Sequence, residues 1–376
     1  VTLRRRRLGR ILSWALALTA LAFVAWIIPV RDRCWDRLSP TSTRVAVSRT
    51  VAGCVLHLQT GDVPIDRVEC ARLQCEPGVA SAFANARGVV VASLFGLYML
   101  STVVWAARWR ALLAFAGVDL PLAEVWRVTI EAQAGGILLP GGFGGDALRI
   151  ASVLARPARP GEVRSPAAIV IASVLLDRAV GLALIATVAA ALGFTSGGPR
   201  AGPLVAVLAA LPVALLVALV VLRRAPIDKI GWLSGGRLAS FVNPVLAYVR
   251  DPRAPRAIAL AAGLSVFVAA VQFGVVRGLV LALGAAPVQE KWVYVGTAMA
   301  FIVAVVPALP GGWGTADATY VFFFGLAGIA PAVALAVCLI YRLFWYLTGV
   351  MGAMLHVTRP RGSPLDAAAD RAGPKP

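Results

Sequence analysis

Apolar residues run through this chain in long blocks, punctuated by short stretches of Gly, Pro and Arg. A helix needs about 20 such residues to cross a ~30 Å hydrocarbon core. The first block, Ile11 to Ile28, follows Arg4 to Arg7. A cleaved leader would end in a small-x-small site, but Trp26-Ile27-Ile28-Pro29 stands there. The pattern therefore predicts a retained signal anchor over residues 1–30, with its N-terminus in the cytoplasm. Further blocks follow at Val89 to Ala107, Ala167 to Phe194, Leu204 to Leu222, Ile258 to Leu283, Trp292 to Val306 and Ala332 to Met354. Leu238 to Val249 reads as an amphipathic surface helix. The tail, 358–376, reads as disordered and cytoplasmic. The expected fold is all-α and polytopic, with about 6–8 transmembrane helices.

Composition agrees with the pattern. Hydrophobic residues make up 59% of the chain, charged residues only 14%, and the mean hydropathy is +0.81. Soluble domains carry about 25% charged residues, so this chain cannot cover itself with polar surface. The net charge of +18 raises nucleic acid as a partner. Its distribution argues against that: the arginines cluster between apolar blocks, at Arg108 and Arg110, Arg149 to Arg164, Arg223 to Arg256, and Arg359 and Arg361. That is the positive-inside pattern of cytoplasmic loops, and no basic-aromatic module accompanies it.

Residues 31–87 form the one extended polar stretch before the tail, and fall outside if the N-terminus is inside. They hold Cys34, Cys54, Cys70 and Cys75. On an oxidising face four cysteines predict two disulfides, with three pairings open. A zinc site is the alternative, and only Cys70 and Cys75 are close enough in sequence to favour it. Thr43 to Ser48 and Cys54 to Gln59 read as short strands, so this segment is expected to be a small stapled cap.

Two glycine motifs interrupt the membrane region, 88–357. Ala111 to Asp146 is broken by Pro121, carries Glu124, Arg127 and Glu131, and ends in Leu139-Pro140-Gly141-Gly142-Phe143-Gly144-Gly145-Asp146. The second copy is Leu309-Pro310-Gly311-Gly312-Trp313-Gly314-Thr315-Ala316-Asp317. Pro and Gly break the helical ladder, and broken backbone at membrane depth is tolerated only against protein or a wet cavity. Three spans lie between the copies, an odd number, so two re-entrant segments would enter from opposite faces. Such an inverted pair points to a transport site. An ordinary Pro-Gly turn is the plainer reading of either copy alone.

Charges at membrane depth extend the picture. Asp177 and Arg178 fall mid-span, Arg277 within a later span and Arg342 mid-way along the last. An Arg at the bilayer centre costs about 2.5–3.5 kcal/mol on insertion scales, so it faces a cavity or a partner. Arg149, Arg178 and Arg342 are the candidate ligands for an anionic headgroup, with Asp146, Asp177 and Asp317 as orienting acids. The alternative is ion pairing of these acids and arginines for structure alone. Nothing in the pattern calls for a cofactor, a catalytic residue or a metal; His57 and His356 are isolated.

Three stretches resemble the lysylphosphatidylglycerol synthase transmembrane-region family, whose members are flippase-like membrane proteins: Leu139 to Arg149, Ala172 to Leu182, and Pro307 to Asp317 followed by Arg342. The resemblance spans about Arg108 to His356. It implies a lipid flippase or transporter in the bacterial cell (inner) membrane, handling an anionic or polyprenyl-linked lipid. The fused enzymes of the family add an acyltransferase-like domain, and only a short polar tail follows Met354 here, so no synthase activity is expected. Two other functions fit the residues: an accessory scaffold whose cap docks an envelope enzyme, and an intramembrane glycosyltransferase using Asp146 or Asp317.

Overall fold

The computed structural model describes residues 32–36, 45–49, 53–58, 61–66, 73–115, 117–138, 143–156, 167–195, 201–224, 243, 246–305 and 312–358. The signal anchor, Cys70, Pro140, Gly141, Gly142, Pro310, Gly311, most of the amphipathic segment and the tail lie outside these residues.

The cap is a five-stranded antiparallel sheet: β1 (Asp32–Asp36), β2 (Val45–Arg49), β3 (Gly53–Leu58), β4 (Gly61–Asp66) and β5 (Leu73–Glu76), in the order β4-β3-β2-β1-β5. Cys34 and Cys75 face each other across β1 and β5 and are joined by a disulfide. Cys54 is also disulfide-bonded. Buried Cys34, Val47 and Cys54 make the small core of the sheet. Asp32 ties the cap to the first short helix, α1 (Val79–Ala84): its carboxylate accepts the Gly78 N–H at 2.6 Å and the Ser81 hydroxyl.

The remainder is helical. The helices are α2 (Gly88–Phe115), α3 (Leu122–Leu138), α4 (Phe143–Leu154), α5 (Ala167–Phe194), α6 (Ala201–Arg224), α7 (Ala254–Ala282), α8 (Glu290–Val305), α9 (Thr315–Leu326) and α10 (Pro331–Val357). Among the described residues α2, α5, α7 and α10 are long and apolar enough to cross a membrane, and α6 is apolar over Leu208–Val221. Leu175, Leu216, Leu260, Phe322 and Val350 are each more than half exposed. For a water-soluble bundle such a surface would aggregate; for a lipid-embedded one it is the solvated face. The protein is an all-α polytopic membrane protein carrying a small β cap.

The helices fall into two sets of matching length. α2, α3, α4 and α5 have 28, 17, 12 and 28 residues. α7, α8, α9 and α10 have 29, 16, 12 and 27. Packing follows the same repeat. The first helices, α2 and α7, lie against each other, and the second helix of each set packs on the last helix of the other: α3 on α10, α8 on α5. Each glycine motif falls between the two short helices of a set, which fold back on each other as a hairpin. A 12-residue helix is about 18 Å long and crosses little more than half the hydrocarbon core. α5, α6 and α7 separate the hairpins. If each of these three helices crosses the bilayer, the number of crossings is odd and the second hairpin is inverted relative to the first.

Small residues let the first hairpin close. A Cβ on Gly135 would stand 2.9 Å from the Gly144 carbonyl oxygen, and one on Gly145 would stand 2.8 Å from that of Ala132. In the second motif Gly312 and Gly314 have φ of +66° and +78°, where an L side chain is strained. Asp317 then starts α9 by accepting the Gly314 N–H at 2.8 Å, the backward half of a capping box.

α2 corrects one sequence expectation. The pattern ends this span at Ala107 and places Arg108 in a cytoplasmic loop, but the helix continues to Phe115 and Arg108 is buried. A carboxylate on a distant helix keeps it there.

Candidate functional site

Both hairpins and all four long apolar helices contribute to a cavity of about 350 Å³. Its wall carries Arg108, Arg149, Arg178 and Arg342, and Asp146 is the one carboxylate on it among the described residues.

The first cluster is built around Asp177 on α5, which is 1% exposed. Arg108 grips it as a fork, Nε to Oδ1 at 2.6 Å and Nη2 to Oδ2 at 2.9 Å, while Nη1 donates to Ser265 Oγ on α7 at 3.0 Å. The indole N–H of Trp105 donates to the same carboxylate at 3.2 Å. Gly181, one turn along α5, leaves room for this guanidinium: a Cβ there would lie 3.0 Å from Arg108 Nη1. The bidentate geometry neutralises Asp177 and spends Arg108 as a structural cation.

Arg149, on α4, is held differently. It reaches Asp177 Oδ2 only at 3.5 Å, the outer edge of a hydrogen bond. Its guanidinium carbon stands 4.6 Å from the ring centre of Trp105 and 5.1 Å from that of Trp109, residues one helical turn apart on α2. Two indole faces thus hold a buried cation by cation–π attraction on the cavity wall, with one hydrogen bond to a side chain among the described residues. The neighbouring residue of Asp177, Arg178, points elsewhere and pairs with Asp146 at 2.5 Å.

The second cluster occupies the other hairpin. Asp317 accepts from Arg342 Nη2 at 3.0 Å and from the Cys338 thiol at 2.9 Å. The Arg342 guanidinium carbon lies 3.9 Å from the ring centre of Trp313, whose N–H is anchored by Tyr346 Oη at 2.7 Å. Arg342 Nη1 is buried with no partner among the described residues. Four guanidinia against three carboxylates leave one positive charge in excess around the cavity.

All six charged residues singled out from the sequence thus stand in or against one cavity, in the pairs Arg178–Asp146, Arg149–Asp177 and Arg342–Asp317. Of the hinge residues, Gly144 is buried in the first turn of α4, and Gly312 and Gly314 form the turn before α9. Arg277 stands apart, pairing with Glu290 at 2.6 Å. The sequence pattern does not single out Arg108, Trp105, Trp109 and Gln133, which also belong to the site. The i, i+4 spacing of Trp105 and Trp109 around Arg108 was the available signal, since it stacks two indoles on one face.

Over residues 78–352 the sequence matches the family described as Lysylphosphatidylglycerol synthase TM region. The chain belongs to this family. The match takes in both hairpins and every charged residue of the cavity, and it begins after β5, so the stapled sheet lies outside it. Membership ties the protein to membrane lipids. A search of curated proteins returned no match.

Proposed function

We propose that this member of the family is a lipid flippase that receives the anionic headgroup of a phospholipid or polyprenyl-linked lipid in its cavity, in a bacterial inner membrane and with a cytoplasmic N-terminus. The observation that carries this reading is Arg149: 3% exposed, on the cavity wall, held by two indoles and only weakly engaged by a carboxylate. A buried cation that shares its carboxylate with a second arginine and meets it only at 3.5 Å is incompletely compensated, and an anion entering the cavity would complete its pairing. Acyl chains would stay in the bilayer while the headgroup moves between hairpins that open to opposite faces. On this reading the protein moves its substrate without making or breaking bonds.

Lipid mass spectrometry on the purified protein tests it. Enrichment of an anionic lipid over the host membrane, lost in Arg149→Ala, is the expected result. A bound-lipid profile equal to bulk membrane, unchanged by the substitution, would sink the reading. A second reading, the cap as docking surface for an envelope enzyme, is favoured by one observation: the stapled sheet lies outside the family match.

A further inference from the structure

The cavity wall is asymmetric in its hydrogen-bonding capacity. Most of its carbonyl and carboxylate acceptors are engaged, while the buried Tyr320 hydroxyl, which can donate or accept, has no partner among the described residues. Asp146 is paired with Arg178. Gln133 Oε1 accepts the indole N–H of Trp345, which fixes the amide orientation because indole nitrogen only donates. Gln272 Oε1 accepts the Tyr341 hydroxyl, and Ser265 Oγ accepts from Arg108 while donating to the Ala261 carbonyl. Its donors are in surplus. Gln133 Nε2 and Arg342 Nη1 are both buried with no partner among the described residues, on side chains 7% and 6% exposed. Arg149 adds N–H groups whose one hydrogen bond among the described residues is the long one to Asp177. The three come from α3, α10 and α4, so both halves of the repeat present donors to one space.

From this we infer that the cavity selects headgroups that are acceptor-rich and carry no ammonium: phosphate esters with a net negative charge, and not zwitterionic or aminoacylated lipids. The inference rests on the flippase reading and names the substrate class of the same site. An orphaned buried donor costs the full desolvation of that group, and an acceptor-rich ligand recovers it. An ammonium finds the opposite. The carboxylate on the wall already holds a guanidinium, which the ammonium would have to displace, and the surroundings carry one positive charge in excess. An excess of like charge repels an ammonium more in a medium of low dielectric than in water.

The test is native mass spectrometry on the full chain in detergent, with dioleoylphosphatidylglycerol, dioleoylphosphatidylethanolamine and undecaprenyl phosphate offered together. The two phospholipids share their tails, so their difference reports the headgroup. Retention of either anionic lipid at least about tenfold above the ethanolamine lipid is expected, the effect of one charge-assisted hydrogen bond. Which anionic lipid dominates separates the two carriers of the same phosphate chemistry. Gln133→Glu, which keeps the Trp345 contact and adds a carboxylate, should narrow the ratio by weakening the anionic lipid and admitting the ethanolamine one. Equal retention of phosphatidylglycerol and phosphatidylethanolamine, together with lipid movement in reconstituted vesicles, overturns the selectivity and leaves the flippase reading standing. Retention of none of the three overturns both.

Discussion

Arg178 and Arg342 are the same residue of the repeat. Each is the twelfth residue of the last long helix of its set, and each pairs with the aspartate in the first turn of the short helix before it, Asp146 or Asp317. Their surroundings differ. The side chains of Arg178 and Asp146 are 24% and 15% exposed, whereas those of Arg342 and Asp317 are 6% and 2% exposed. The cavity is therefore looser at the first hairpin than at the second.

That difference sets the cost of breaking each pair. Removing one partner from a fully buried ion pair costs about 3–5 kcal/mol, because the other charge remains buried. A partly exposed pair loses about 1 kcal/mol or less, since water takes over. Asp317→Asn should lower the melting temperature in detergent strongly, and Asp146→Asn only slightly. Equal shifts would show that the two hairpins are equally closed in solution.

The inverted repeat makes its own demand. The mouths of the hairpins lie near Ala123, just inside α3, and Gln289, just before α8, and both residues are exposed. A membrane-impermeant maleimide applied to intact cells should label only one of Ala123→Cys and Gln289→Cys above the parent chain, and label both after permeabilisation. Labelling of both in intact cells would end the inverted arrangement.

Closure of the first hairpin depends on glycine. An alanine at 145 places its methyl 2.8 Å from the backbone oxygen of Ala132, which cannot swing aside as a side chain can. Gly145→Ala should cost about 1–3 kcal/mol, as overpacking does. Gly263 is the control. A Cβ there meets nothing within 4 Å, so Gly263→Ala should be neutral or stabilise α7 by up to about 1 kcal/mol of helix propensity. Thermal unfolding of the two variants side by side checks the contrast.

The long helices were legible because run length and composition alone decide whether a segment suits a bilayer: Ala167 to Phe194 coincides with α5 to the residue. The hairpins were legible as breaks, since Pro and Gly in duplicate announce a broken ladder. Arg108 was not. A basic residue at the end of an apolar run has the same local pattern whether it meets water or a carboxylate, and here its partner is 69 residues away on α5. The same holds for Gln133, whose orphaned amide follows from Trp345 on a helix far along the chain. Local pattern carries element type; it does not carry long-range pairing.

Stacking makes Arg149 specific. A lysine at 149 would keep the charge but lose the planar group that lies between two indoles and the several N–H groups that face the cavity. Cation–π contacts are worth about 0.5–2 kcal/mol each, more when desolvated. Arg149→Lys should therefore lower the melting temperature and reduce anionic-lipid retention about tenfold or more, and Arg149→Ala should abolish retention. Full retention in the lysine variant would reduce Arg149 to a point charge.

The cap tests whether the two parts of the protein depend on each other. The Cys34–Cys75 disulfide closes a loop of 41 residues, which on the chain-entropy account stabilises the folded cap by roughly 4 kcal/mol. Among the described residues the core of the sheet holds three buried apolar residues, Cys34, Val47 and Cys54, with Leu56, Ile65 and Cys75 partly buried against it. Stability of this size is large beside such a core, so Cys34→Ser/Cys75→Ser should loosen the β1–β5 side of the cap even with the Cys54 disulfide intact. Limited proteolysis from the cap side should then cut within residues 32–76 in the variant and spare the parent. The helices bury their own apolar clusters and the cavity draws no wall residue from the sheet. Anionic-lipid retention should accordingly survive in the cut protein. If retention falls together with the cap, the sheet takes part in lipid capture; if it persists, the cap has a separate role at the membrane surface.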